Sequence, residues 1–208
     1  MFRVRFADLS PSDYVLLIFS GLIPFLGFTE GIATTIPAVS SNSALVKNTL
    51  FPIDILPAKA VLVSQCTQAV GFLILLVALA VCDKLTVYSL LIVPIWAFQL
   101  LLGMGLGWIL SACNVFFKDL QNIVTLIIIF LMMISPIAYP VDMVPEGLRP
   151  LLQANILYYY ITAYQDSLVV GCFPMQNVLP VLMGASLFIF LGGYWFFSKI
   201  KTVFADNV

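Results

Sequence analysis

Apolar and polar residues segregate along this chain in blocks of tens of positions. No Asp, Glu, Lys or Arg occurs in residues 60–82, 85–117, 120–141 or 167–198, and each block is long enough for a membrane-crossing helix, which takes about 20 apolar residues. A further apolar run, about 14–36, is interrupted only by Glu30. The pattern predicts five spans, near 14–36, 61–81, 88–112, 123–134 and 178–197. Pro94 is placed to kink the third near its start. The fourth ends in prolines: Pro136, Pro140, Pro145 and Pro150 recur through a segment that also holds Asp142, Glu146 and Arg149, so continuous helix is excluded there. Residues 151–170 are half apolar and rich in tyrosine, which suits short helices at the interface or dipping part-way into the bilayer. The expected fold is all-α, a polytopic membrane helix bundle with short re-entrant or interfacial helices.

Composition agrees with that pattern. Of 208 residues, 62% are hydrophobic and 9% charged, against about a quarter charged in soluble domains. The net charge of −1 gives no reason to expect nucleic acid as a partner. Lys47, Lys59, Lys118, Lys199 and Lys201 fall on one side of a five-span layout, and Arg3, Arg5, Lys84 and Arg149 on the other. Five against four does not fix the orientation. No small-residue cleavage site follows the first residues, and a cleaved signal peptide is not expected.

Candidate chemistry is sparse. Cys66, Cys82, Cys113 and Cys172 form no CxxC pair and the chain has no histidine, so neither a metal site nor a Ser-His-Asp or Cys-His arrangement is expected. There is no GxxxxGK[ST] phosphate loop. No cofactor and no catalytic residue are assigned. Glu30, alone among ionisable residues within a span, suits either a substrate path or a carboxylate bonding to a neighbouring helix near the membrane boundary. Gly103, Gly107 and Ser111 fall four apart and give one helix face a shallow groove for close packing. Tyr139, Tyr158, Tyr159, Tyr160 and Tyr164 bracket the proline-rich segment, and Trp96, Trp108 and Trp195 lie in spans. Such rings serve as headgroup-level anchors, and they also stack on sugar faces.

Four blocks carry a resemblance: LVKNTLFPIDILP at 45–57, NVFFKD at 114–119, SPIAYP at 135–140 and VPEGLRP at 144–150. Together, in this order and spacing, they resemble the permease subunit of ABC-2 type polysaccharide exporters, which move O-antigen, capsular polysaccharide or teichoic acid. The resemblance implies that residues 1–208 form one transmembrane domain of a transport permease and not an enzyme. It implies a homodimer joined to two copies of a separate ATPase, passing a lipid-linked glycan across the bacterial inner membrane. An ATPase-coupling loop would hold Lys47, Asn48, Phe51, Pro52 and Pro57, with Lys118 and Asp119 as a second cytoplasmic contact. Residues 135–164 would form the external re-entrant segment near the exit. Glu30, Tyr139, Tyr159, Tyr160 and Tyr164 would lie along the substrate path.

Similar permeases have six spans preceded by an amphipathic interfacial helix, whereas this chain opens on FRVRF at residues 2–6, which resembles the stretch just after their first span. The first helix is expected to be missing, which leaves a truncated product, a misplaced start and a genuine short variant all open. A secondary transporter would couple to ions through intramembrane charges and often shows two similar halves. Glu30 alone is thin support for that alternative, and no internal repeat is evident. A glycan-processing membrane enzyme would need acid pairs or histidines within the spans.

Overall fold

The computed structural model describes residues 11–47, 51–139, 144, 145, 147, 149–175 and 177–204. Arg3, Arg5, Asn48, Asp142 and Glu146 lie outside them. The described residues are mostly helical, without a strand: α1 Pro11–Thr35, α2 Ser43–Val46, α3 Ile55–Val81, α4 Ile92–Phe116, α5 Leu120–Ile134, α6 Arg149–Ala154, α7 Ile156–Gln165 and α8 Val178–Ile200. Hydrocarbon offers no hydrogen bond to a peptide group, so apolar runs of this length satisfy their backbone internally, as helices.

Four stretches, Ser12–Thr35, Ile55–Val81, Val87–Phe116 and Val178–Ile200, are long and apolar enough to cross a membrane. The span expected at 123–134 is α5, of 15 residues. At 1.5 Å per residue it covers about 22 Å, less than the ~30 Å of a hydrocarbon core. Its ends are set locally. Asp119 precedes it, and its carbonyl accepts from the amides of Asn122 and Ile123 at 3.1 and 3.3 Å. At the other end Ser135 stands before Pro136, a position that disfavours helix. Pro94 produces no interior break, because α4 begins at Ile92 after a 3-10 turn, Val87–Leu91, and proline is tolerated in a first turn.

By contact the chain divides into two compact units. One comprises Met1–Leu26, Gln68–Ala97 and Phe130–Met183. Its interior is aromatic: Phe72 meets Tyr164 at 5.1 Å and Trp96 at 5.9 Å between ring centroids. Asn155 accepts from the Leu157 amide at 3.0 Å, capping α7, and donates to Ser135 Oγ at 3.0 Å. Gln165 Nε2 donates to the carbonyls of Pro136 and Ile137, both at 3.3 Å, which are backbone acceptors that the proline break leaves outside a helix. The helical turn Asp166–Val170 closes on Gly171 at φ +72°, a left-handed conformation that glycine adopts without strain. Lys84 bridges Asp13 at 2.5 Å, joining the turn after α3 to the start of α1.

The other unit comprises Gly27–Thr67, Phe98–Ile129 and Gly184–Val208. Val39, Val46, Leu56, Trp108, Ala112, Val115, Phe197 and Phe204 form its buried core. Here α4 and α8 touch backbone to backbone. A Cβ on Gly193 would fall on the Gly105 carbonyl, and one on Gly105 would fall on the Ile189 carbonyl. Small residues permit such approach where no hydrophobic force drives helices together in lipid. Gly192, by contrast, faces open space. We expect Gly193→Ala to lower the thermal unfolding midpoint of the detergent-extracted protein by the equivalent of about 1–3 kcal/mol, the usual cost of overpacking. Gly192→Ala should hold or raise it, since alanine is the better helix former by up to ~1 kcal/mol.

Candidate functional site

The segment between α1 and α3 is polar and proline-bearing, and its described residues from Phe51 onward are held at several points. After a 3-10 turn, Ser40–Asn42, α2 leads to Lys47, which is exposed. The chain is described again from Phe51. Amides of Ile55 and Leu56 donate to the carbonyls of Pro52 and Ile53, both at 3.1 Å, making the turn that enters α3. Pro52 is exposed, whereas Pro57 is buried in the first turn of α3, where its missing N–H costs nothing. Phe51 and Ile53 pack partly buried against the core around Trp108 and Phe204.

Two polar contacts fix this turn from opposite elements. Trp108 Nε1, on α4, donates to the Asp54 carbonyl at 3.0 Å. Lys201 Nζ, just past α8, meets Asp54 Oδ2 at 2.7 Å and Oδ1 at 3.1 Å. The two side chains are 22% and 34% exposed, so the ion pair is partly screened and contributes up to about 1 kcal/mol. Around it the rings of Phe190 and Tyr194 lie 5.3 and 5.2 Å from Trp108. Phe204 lies 5.3 Å from Phe197 and 6.4 Å from Phe116. The result is a short, stiff projection seated on α4 and the end of α8.

Lys118 and Asp119 are both exposed in the connection from α4 to α5. Four residues before Lys118, Asn114 Nδ2 donates to Ser40 Oγ at 3.2 Å, tying the end of α4 to the turn after α1. Gly103 and Gly107 present their open faces to Val61, and Gly107 also to Thr35, with Thr35 Cγ2 only 2.7 Å from where a Cβ would sit. Ser111 is fully buried and its hydroxyl donates to the Trp108 carbonyl at 3.2 Å. The two glycines therefore meet α1 and α3 of the same chain.

Glu30 is exposed on α1, and Thr67 Oγ1 donates to its Oε1 at 3.5 Å. The tyrosines separate by environment. Tyr160 and Tyr164 are enclosed, 2% and 0% exposed, and burial, with Tyr160 beside it, pushes the Tyr164 hydroxyl well above its ordinary range. Tyr158 and Tyr159 are half-buried and meet edge to face at 5.1 Å. Tyr139 folds back to donate to the Ile134 carbonyl, capping the end of α5, and partial burial raises its pKa.

Asp54, Trp108 and Lys201 are not recognisable in the sequence as a group. Asp54 sits within the block at 45–57, but its partner lies 147 residues away, a separation that no periodicity reports. The one available signal is an acidic residue among Phe, Pro and Ile, a setting in which a carboxylate needs a partner.

A profile of the family described as "ABC-2 type transporter" matches residues 3–169. The chain belongs to the ABC-2 type transporter family. Its relatives include the O-antigen export system permease protein RfbA of Klebsiella pneumoniae, 25% identical over 198 residues, covering 93% of this chain and 75% of the relative. RfbA of Myxococcus xanthus is 25% identical over 199 residues, with 94% and 76% covered. The polysialic acid transport protein KpsM of Escherichia coli is 25% identical over 187 residues, with 88% and 72% covered. The ABC-2 match takes in the whole of the projection from Phe51 to Pro57 and the Lys118–Asp119 connection, while Lys201 lies beyond it.

Removing the indole N–H should loosen the projection. With about 1 kcal/mol lost for one hydrogen bond, Trp108→Phe is expected to speed tryptic cleavage at Lys47 by about fivefold, since cleavage tracks the population of the open form. Trp195→Phe, on the exposed face of α8, should leave it unchanged.

Proposed function

We propose that this chain is the permease of an ABC exporter that passes a lipid-linked polysaccharide across the bacterial inner membrane, driven by a separate ATPase. The observation that carries the reading is the ABC-2 match across residues 3–169, joined by relatives named as export permeases of O-antigen and transport proteins of polysialic acid. No phosphate loop is present in the sequence, which suits a division of labour in which ATP is handled by a partner.

On this reading residues 1–208 act as one transmembrane domain. Two copies of the permease assemble with two copies of the ATPase, and the loop that holds Lys47, Asn48, Phe51, Pro52 and Pro57 is the coupling element, with Lys118 and Asp119 as a second cytoplasmic contact. Its anchoring supports the assignment. A push on Phe51 or Pro52 is delivered to Trp108 on α4 and Lys201 beyond α8 through contacts of 3.1 Å or less, with little loop between to absorb it. Tyr139 and Tyr159, both partly exposed, are the tyrosines best placed to meet a passing glycan. Tyr160 and Tyr164 support them from within.

Co-expression with the cognate ATPase tests the reading. The two proteins should elute together from detergent, with ATP turnover that depends on the permease. Phe51→Ala, or Pro52→Gly with Pro57→Gly, should keep membrane insertion and the complex yet lower export per ATP hydrolysed by roughly 5- to 150-fold, the range of ordinary coupling energies. Normal coupling in both variants would remove the projection from the mechanism.

A further inference from the structure

Glu30 stands where hydrocarbon should not accept it. Its partner Thr67 is twelve residues into α3. The nearest charged residue before Thr67 on that helix, Lys59, is eight residues, or about 12 Å along the axis, away. Both Glu30 and Thr67 are exposed, as is Thr34, and the α3 neighbours Leu62 and Val63 are exposed apolar residues. Among the described residues no cation pairs with Glu30. A carboxylate left facing lipid costs several kcal/mol, so this face needs a partner other than hydrocarbon.

The hydrogen bonds show what kind. The Thr34 hydroxyl donates backwards to the Glu30 carbonyl at 2.9 Å and the Gly31 carbonyl at 3.1 Å. Thr67 gives its proton to Glu30 Oε1. Both hydroxyl protons are used within the patch, so the lone pairs of Thr34 and Thr67 and the remaining sites of the carboxylate, which has about four, are what faces outward. The patch is built of acceptors. It suits a medium rich in donors, such as water, sugar hydroxyls or an ammonium group, and it repels anions.

We infer that Glu30, Thr34 and Thr67 form a water-facing, acceptor-only station that passes hydroxyl-rich, uncharged or amino-bearing glycan and disfavours polyanionic glycan. The inference rests on the exporter reading for its cargo. Glu30 sets the charge preference, while the two threonines shape the patch.

Thiol labelling in membrane vesicles tests it. With the four native cysteines replaced by alanine, Thr34→Cys is exposed to cationic and anionic methanethiosulfonates of similar size, each rate normalised to a free thiol. The thiol should react with both. The cationic reagent should be faster by at least about threefold, a ratio that a single charge a few ångström away gives in a watery surrounding. Glu30→Gln should bring the ratio close to one. Thr67→Cys is the second reporter where Thr34→Cys does not insert. Reaction only with a lipid-soluble maleimide, no reaction at all, or a ratio that Glu30→Gln does not change would each overturn the inference. Because the labelling needs no ATPase, absence of an ATPase complex would count against the exporter reading alone. An unreactive thiol in a chain that does form the complex would count against the station alone.

Discussion

A peptide group moved into hydrocarbon keeps its need for a hydrogen bond and loses water as a source of one. That constraint shapes most of this protein. It makes the long uncharged blocks helical over most of their length, and it concentrates irregular backbone where prolines or loops meet partners able to satisfy it. Between α5 and α6 those partners are side chains. Gln165 serves the carbonyls that Pro136 and Ile137 cannot place in a helix, and Asn155 caps α7 while reaching Ser135. Once backbone demand is met within each helix, association depends on shape. The approach of α4 to α8 at Gly105 and Gly193 is close because there is no side chain between them.

The same economy of polar groups explains the projection before α3. Its polar anchors are few: one indole N–H, one carboxylate and one ammonium group. They act at its base, whereas Phe51 and Ile53 supply apolar contact. A turn held at both its backbone and its side chain has little freedom left, and Pro52 removes more. Rigidity here arises from several small interactions, each worth about 1 kcal/mol or less, converging on Asp54.

Much of the fold is legible in the sequence because long uncharged blocks leave few alternatives. Spans near 14–36, 61–81, 88–112 and 178–197 correspond to helices of membrane length. The block at 123–134 is helical but starts at Leu120 and stops at Ile134, and the sequence carries both limits in Asp119 and Pro136. Contacts made by residues distant in the chain are not legible. Nothing in the tyrosine-rich segment distinguishes Tyr164, sealed against Phe72, from Tyr159, half-open beside Tyr158, because α7 turns them to different sides of a surface whose other half comes from α3. Likewise the four-residue spacing of Gly103, Gly107 and Ser111 marks one face of α4, while its closest approach to another helix falls on Gly105, on a different face.

The tie between Asp54 and Lys201 also has a temporal side. A ribosome adding roughly 5–20 residues per second needs on the order of 7–30 s to make the 147 residues that separate them. Throughout that interval Asp54 has no Lys201 with which to pair. Nascent chains therefore pass through a stage in which α1, α3 and α4 are made while Asp54 still lacks its ammonium partner, and only arrival of the residue beyond the last helix ends it. The ion pair can therefore close only in a polypeptide that has been made through α8.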